Sequence, residues 1–214
     1  MCRKINKLLA YPSFVANIGR NFLDHTSNIT RLTLGADDEG AFGCEGFNHA
    51  PHPLTAEHLP KLQWLEIHYF FVDAALVDFL VGHKEVLQHL RLIDCASAAG
   101  DCSLAENPIY WDEFLNRWAE SKPPALTHFE VLPIKMPDLE QDHLDIDRVY
   151  QVLKQDVEAK SPHVRQYLEY KYLDDKYGML FTDDELNDER FLENEDWEAY
   201  VRVQNIAKKN RERQ

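Results

Sequence analysis

One stretch of the chain brings together the side chain types that most often bind zinc. Cys44, His49 and His52 fall close together, and His58 follows shortly after them. Zinc sites take Cys or His ligands in tetrahedral geometry, usually supplied as two close pairs, and this stretch has no clear second pair. We therefore interpret these residues as ordinary loop residues and predict neither a metal nor a cofactor. A metal-dependent enzyme built in the loop 35–58 stays as an alternative function.

Other patterns that could carry chemistry are weaker. The acidic run Asp183–Glu189 resembles a calcium-binding loop in charge but lacks the glycine at the sixth position, so we interpret it as a solvated acidic loop. The sequence contains no Gly-x-Ser-x-Gly motif, no phosphate-binding glycine loop and no dinucleotide fingerprint. Asp24, His25 and His143 have no recognisable nucleophile partner. We therefore expect no catalytic residue and no enzyme activity.

The composition argues against several classes of binding partner. The 214 residues carry a formal net charge of −14, which disfavours binding to nucleic acid or to anionic lipid because both require clustered Lys and Arg. No apolar run approaches the ~20 residues that span a membrane. The four cysteines are irregularly spaced and form no C-x-x-C pair, as in proteins of reducing compartments. We expect a cytoplasmic or nuclear protein that binds neither nucleic acid nor membrane.

A spacing of apolar residues recurs along the first part of the chain and predicts its strands. The spacing is Leu-x-x-Leu-x-Leu. Its four copies are Ile29, Leu32, Leu34; Leu62, Leu65, Ile67; Leu87, Leu90, Leu92; and Leu126, Phe129, Val131. This spacing is typical of the strand of a leucine-rich repeat, whose units bury their apolar face only by stacking. We predict an irregular leucine-rich-repeat α/β domain over residues 1–137, with parallel strands on one face and helices on the other.

Helix signals precede the strands. Ser13 and Asp73 are candidate N-caps, Gly82 is a stop signal, Asn107-Pro108 opens a third helix, and 55–58 is a brief candidate helix.

Residues 138–214 are predicted to form a helical, acidic capping region, since a solenoid end would otherwise expose apolar surface. Helical spacing runs over 146–157, the stretch 164–172 suits either a helix or a strand, and a last helix is predicted over 194–208.

In such strands the residues between the spaced leucines point to the open face of the sheet. If the four strands are in register, these residues form rows across the strands. The first row is Arg31, Trp64, His89 and His128; the second is Thr33, Glu66, Arg91 and Glu130; and a third, weaker row ends in His68 and Ile93.

Two interpretations of these rows remain open. In the first, Glu66 and Glu130 hold Arg91 in a surface ladder of ion pairs that contributes little to stability. In the second, Trp64, His89, Arg91 and His128 form a contact patch, since Trp and Arg are frequent in interface hot spots. The predicted protein-binding face comprises Arg31, Trp64, Glu66, His68, His89, Arg91, His128 and Glu130.

Three stretches, 59–67, 86–95 and 172–181, together resemble the C-terminal leucine-rich-repeat region of F-box-like proteins from filamentous fungi. In those proteins a strand of the form LxxLxLxxC follows each helix, and a tyrosine-rich acidic segment closes the chain. The resemblance implies a substrate receptor of a cullin–RING ubiquitin ligase, in which an F-box docks on the ligase adaptor and the repeats hold a target protein. Residues 1–28 are too short for an F-box, so the binding role carries over better than the ligase role.

The function predicted from the sequence is non-catalytic recognition of a protein through the strand face. A further alternative is an orphan structural fragment of a larger F-box-like protein, which predicts an exposed apolar patch near residues 5–18, where the first repeat would lack a neighbour. The consecutive aromatic residues Tyr69, Phe70 and Phe71 are interpreted as core.

Overall fold

The structure is a computed structural model that describes residues 10–36, 53–98, 109–133, 146–158, 165–174 and 179–214. Within these ranges six α-helices are present: α1 (Ala10–Asn21), α2 (Ala74–Gly82), α3 (Trp111–Glu120), α4 (Ile146–Glu158), α5 (Asp184–Glu193) and α6 (Glu195–Arg211). The strands of these ranges are β1 (Arg31–Gly35), β2 (Trp64–His68), β3 (His89–Ile93), β4 (Ser97–Ala98), β5 (His128–Leu132), β6 (Tyr170–Asp174) and β7 (Met179–Thr182). None of the helices in these ranges is long and apolar enough to cross a membrane.

The main sheet contains the four predicted strands in the order β1-β2-β3-β5, and every neighbouring pair is parallel. Leu34, Ile67, Leu92 and Val131 occupy one register position across the sheet. The predicted parallel ladder is therefore confirmed, and the chain has a mixed α/β fold.

The core lies between this sheet and the layer formed by α2 and α3. Leu65, Ile67, Leu90 and Leu92 point into it and are completely buried. The helices contribute equally buried side chains: Leu76, Phe79, Leu80, Trp111, Phe114, Leu115 and Trp118. Burial of such side chains contributes about 1.5–3 kcal/mol each. The interpretation of Tyr69, Phe70 and Phe71 as core is confirmed for the two phenylalanines, each only 1% exposed, but it is wrong for Tyr69, which is half-buried.

Helix α2 begins and ends where the sequence predicts. The Asp73 carboxylate accepts a hydrogen bond from the Leu76 amide at 2.7 Å, which is the expected N-cap contact. At the other end, a Cβ atom on Gly82 would lie 2.8 Å from the Cβ of Ala56, so only glycine fits against that turn. Residues 56–58 themselves form a turn, and the helix predicted over 55–58 is wrong.

Helices α1 and α3 begin at other residues than predicted. Helix α1 starts at Ala10, so Ser13 lies inside it and is not its N-cap. Helix α3 starts at Trp111, and Asn107-Pro108 lies outside the described residues.

The C-terminal region is less helical than predicted. Strands β6 and β7 form an antiparallel hairpin, and the short β4 pairs with β6 in parallel. The strand alternative for 164–172 is thus correct from Tyr170 onward, whereas the described residues 165–169 lie in neither a helix nor a named strand. The acidic run Asp183–Glu189 is not a loop, because the Asp183 carboxylate caps α5 by accepting from the Leu186 amide at 3.0 Å.

Helix α6 covers the β5 edge of the main sheet. The Gln204 side chain donates to the Phe129 carbonyl at 2.6 Å, and the Asn210 side chain donates to the carbonyls of Pro123 and Leu126 at 2.8 Å. Tyr200 packs on Phe129, with ring centroids 5.6 Å apart. Helix α6 therefore joins the region after residue 137 to the repeat region before it.

A single residue joins α5 to α6. Asn194 ends one helix and begins the next, with a left-handed φ of 67°. Its amide donates to the Arg190 carbonyl at 3.1 Å, and its carbonyl accepts from the Glu198 amide at 3.0 Å. Asparagine tolerates this conformation better than most residues that carry a Cβ.

Candidate functional site

All eight predicted face residues lie on the open side of the main sheet. The register pairs Arg31 with Trp64, Trp64 with His89, and His89 with His128, which gives the first row. The second row pairs Thr33 with Glu66, Glu66 with Arg91, and Arg91 with Glu130. The third row is Gly35, His68, Ile93 and Leu132. The predicted rows are confirmed, because each strand contributes one residue to each row. Neighbouring strands lie about 4.8 Å apart, which brings the side chains of a row close to one another.

The first row is a continuous stack of side chains, which we call the aromatic row (Arg31, Trp64, His89, His128). The Arg31 guanidinium lies 4.1 Å from the centroid of the Trp64 ring. Trp64 stacks on His89 at 4.6 Å, and the His89 and His128 rings are 5.6 Å apart. Among the residues that the structure describes, the Trp64 Nε1 has no hydrogen-bond partner, so the contacts seen for the indole are stacking contacts.

In the aromatic row, Arg31 and His89 differ in charge. Burial lowers the pKa of His89, and the nearby His128 and Arg31 lower it further. The His89 imidazole is therefore neutral at neutral pH and stacks on Trp64 without adding positive charge. A guanidinium above an indole face is a favourable cation–π arrangement.

The second row is an ion-pair ladder, which we call the Arg91 ladder (Glu66, Arg91, Glu130). Arg91 donates from Nη1 to Glu66 at 2.6 Å and from Nε to Glu130 at 2.9 Å. His68 lies 3.0 Å from the second oxygen of Glu66, and His128 lies 3.8 Å from Glu130. The ladder interpretation is therefore correct for Arg91, whose guanidinium is already paired within the chain.

These pairs shift two pKa values. The hydrogen bond with His68, followed by the charge of Arg91, lowers the pKa of Glu66 against the opposing effect of burial. The hydrogen bond to Glu130 raises the pKa of Arg91, which Glu66 reinforces. Glu66 and Arg91 therefore both stay charged at neutral pH.

The residues named for metal or catalytic chemistry do not form a site in the described part of the chain. Cys44, His49, His52 and His143 lie outside the described residues. Where side chains are described, no group of three or more His, Cys, Asp or Glu residues is arranged to hold a metal ion. His58 has a structural role, because its Nε2 lies 3.0 Å from Asp24 and its Nδ1 lies 3.2 Å from the Thr55 hydroxyl.

Sequence reasoning missed a second charged cluster, which we call the Arg190 cluster (Asp112, Arg190, Glu193, Asp196). Arg190 contacts Asp112 at 2.6 Å, Glu193 at 2.7 Å and Asp196 at 2.8 Å. Its side chain is 9% exposed, and that of Asp196 is 5% exposed. The carboxylates raise the pKa of Arg190 although burial opposes this, so the guanidinium stays charged.

Hydrogen bonds extend the Arg190 cluster to α3 and β6. The Asp196 carboxylate accepts from the Asp112 amide at 2.9 Å and from the Tyr170 hydroxyl at 2.9 Å. The Tyr170 hydroxyl in turn accepts from the Trp111 amide at 3.1 Å. Asp196 thus accepts a hydrogen bond from a backbone amide in the first turn of α3, although the two residues are 84 positions apart in the chain. The only signal in the sequence is a lone arginine within the acidic segment.

The residues of the aromatic row are thus exposed or partly exposed, whereas the Arg190 cluster is largely buried and joins several elements. Comparisons with known proteins add no relative to this description: no family model, no curated protein and no solved structure matches the chain.

Proposed function

We propose that this protein recognises another protein, without catalysis, through the open face of its parallel sheet. The observation that carries the proposal is the aromatic row, in which Arg31, Trp64, His89 and His128 stack side by side on a face that no described helix covers. Stacking fixes these side chains before binding, which reduces the entropy lost when a partner orders them.

The two rows have different parts in this proposal. Trp and Arg are the residues most often found in binding hot spots, and the aromatic row supplies both. The guanidinium of Arg91 is occupied by Glu66 and Glu130, so this ladder orients the face and offers the remaining carboxylate surface as a polar rim. Arg31 and Trp64 are therefore the residues whose loss should weaken binding most.

The repeated strand motif and its register support a leucine-rich-repeat architecture as part of the same proposal. The resemblance to F-box-like proteins narrows the proposed role to the target-binding part of a ubiquitin-ligase receptor. In that role the partner is a target protein, and any contact with the ligase adaptor would be made elsewhere on the molecule.

Affinity capture from cell extract tests the proposal when the proteins captured by wild type are compared with those captured by variants. Wild-type protein, Trp64→Ala, Arg31→Ala and the control Arg211→Ala are used as baits, the control residue being exposed at the end of α6. We expect a defined set of proteins that wild type and the control retain and that both face variants lose at least fivefold. Equal capture by all four baits would contradict the proposal, and recovery of ligase adaptor with wild type would favour the receptor role.

One observation favours the orphan-fragment alternative. Phe14 on α1 and Phe22 just after it are 55% and 56% exposed, and β1 has a neighbouring strand on one side only within the described residues. This apolar end is what another repeat unit would cover, although residues 5–9 of the predicted patch lie outside the described residues. Substituting both phenylalanines by serine should abolish capture of such a partner while leaving capture through the aromatic row unchanged.

A metal assay on purified protein tests the remaining alternative. Stoichiometric zinc that is lost when Cys44 and His49 are replaced would favour a site in the loop 35–58.

A further inference from the structure

A cavity at the C-terminal end of α6 has a composition that is unusual for this acidic chain. It measures about 340 Å³, near the lower end of the volumes that bind ligands. Its lining residues are Lys122, Pro123, Pro124, Ile206, Lys209, Asn210, Arg213 and Gln214. Three of these are cations and none is acidic, on a chain whose net charge is −14.

Within the described part of the chain, the three cations form no ion pair. The side chains of Lys122, Lys209 and Arg213 are all exposed. Arg91 and Arg190, by contrast, are closely paired with carboxylates. Three unpaired cations around one cavity therefore create a local positive potential that attracts acidic groups.

The cavity is also rigid. Asn210 donates to the carbonyls of Pro123 and Leu126, which fastens the turn after α3 to α6. Lys122 adopts a left-handed φ of 51° just after α3, so its backbone direction is fixed by the helix end. Two prolines restrict the same turn. The cations are thus presented by a preorganised surface, which lowers the entropy cost of binding.

The spacing along α6 indicates the shape of the ligand. Ile206 and Lys209 lie on one face of α6, because residues three apart share a face, and Arg213 follows in the turn just beyond the helix end, where its amide donates to the Asn210 carbonyl at 3.2 Å. Four residues of a helical turn advance by about 6 Å, which is the separation expected between Lys209 and Arg213. Alternate residues of an extended peptide are about 6.6 Å apart and point to the same side. Two acidic residues with one residue between them therefore match the two cations.

We propose that this cavity binds a short extended acidic peptide of a partner protein. An aliphatic side chain of the peptide packs on Ile206 and the two prolines. The next two side chains on that side are carboxylates that pair with Lys209 and Arg213, while Lys122 closes the site from the opposite wall. The site is separate from the open sheet face and does not depend on the function proposed for that face.

Fluorescence anisotropy with the full chain tests this inference. The probe is a labelled peptide in which one leucine and two glutamates are separated by single serines, and its control carries lysines in place of the glutamates. We expect wild type to bind the glutamate peptide, to bind it more weakly as salt is added, and not to bind the lysine peptide. Failure of the glutamate peptide to bind would overturn the proposal.

Variants locate the binding site. Lys209→Glu/Arg213→Glu should weaken binding about tenfold or more, whereas Lys208→Glu/Arg211→Glu, which makes the same change of charge outside the cavity, should change it less than about twofold. Lys122→Glu provides a test that leaves α6 untouched and should also weaken binding. Equal loss with Lys208→Glu/Arg211→Glu would overturn the proposal, as would displacement of the peptide by inorganic phosphate at matching concentration.

A face variant separates the two proposals. Trp64→Ala should bind the glutamate peptide as wild type does. If this variant loses partner capture but keeps peptide binding, the result supports both the proposed function of the sheet face and the proposed peptide site. Loss of peptide binding in Trp64→Ala would contradict the independence of the cavity.

Discussion

The Arg190 cluster and the Arg91 ladder place the same chemistry in two environments. Each has one arginine between carboxylates, and the shortest contact is 2.6 Å in both. The side chain of Arg190 is 9% exposed, whereas that of Arg91 is 29% exposed. Distance therefore does not distinguish the two sites, and burial does.

Burial changes what each ion pair contributes. A buried charge that loses its partner has no water to replace it, so breaking such a pair is costly even when forming it brings little net gain. A charge near solvent is rehydrated at once when its partner is removed. We infer that the Arg190 cluster fixes how α3, α5, α6 and β6 meet, while the Arg91 ladder shapes a surface.

The largest expected effect is at Asp196. Asp196→Ala removes the carboxylate that pairs with Arg190, accepts the Tyr170 hydroxyl and caps α3, so it should lower the free energy of unfolding by about 3–5 kcal/mol. Urea denaturation followed by circular dichroism measures this. The matched control is Glu195→Ala, whose exposed carboxylate lies 3.5 Å from the same guanidinium and should contribute under about 0.5 kcal/mol. If the two substitutions lowered the free energy of unfolding equally, burial would not determine what each ion pair contributes.

A smaller effect is expected at Tyr170. Tyr170→Phe keeps the ring but removes the hydroxyl that links the Trp111 amide to Asp196, which should cost about 1–3 kcal/mol. Tyr200→Phe is a control of the same chemistry, because its hydroxyl accepts from the Gln204 side chain at the partly buried edge of the sheet. A Tyr170→Phe protein as stable as wild type in urea would show that the hydrogen bonds around Asp196 do not act together.

The open face should tolerate substitution. Trp64→Ala/Arg91→Ala removes one member of each row, and we expect a loss of under about 1 kcal/mol, or a fall of about 2–4 °C in the midpoint of thermal unfolding. Differential scanning calorimetry measures this shift. A much larger fall would mean that these side chains stabilise the core and that the face assignment is inverted.

The smallest effect is a pH dependence at Glu66. Its pKa in the folded protein is held below the ordinary value of 4.5, chiefly by the hydrogen bond with His68 and then by Arg91. A lowered carboxyl pKa stabilises the fold above the unfolded-state value, and this contribution disappears as the pH falls through the folded-state value. Wild type should therefore be slightly more stable than Glu66→Gln at neutral pH, and urea titrations at lower pH should bring the two together. A difference in stability between the two proteins that grows as the pH falls would contradict this prediction.

The sequence predicts the main sheet and its face well, for a physical reason. Strand direction and helix faces follow from the period of apolar residues, which is a local property. Knowing that Leu34, Ile67, Leu92 and Val131 share a register position is enough to place Trp64 beside His89 and Arg91 beside Glu66. That a protein partner binds there stays a prediction.

The Arg190 cluster could not be found in this way. Asp112 and Arg190 are 78 residues apart in the chain, and no local period connects them. The sequence predicts a loop over 183–189, where α5 begins, because the apolar residues Leu186, Phe191 and Leu192 of this helix are too few to form a clear stripe among the acidic ones. Its N-cap, Asp183, looks like any other acid of the run until its contact with the Leu186 amide is seen.

The one-residue joint at Asn194 sets the geometry of the Arg190 cluster. It leaves Arg190 in the last turn of α5 and Asp196 in the first turn of α6, facing each other across the bend. Because each helical residue advances the chain by about 100° of rotation, one inserted residue after Asn194 would swing Asp196 to a different side of α6. The length of this joint is therefore as strictly specified as any side chain in the cluster, and homologous chains should vary in loop composition long before they vary here in loop length.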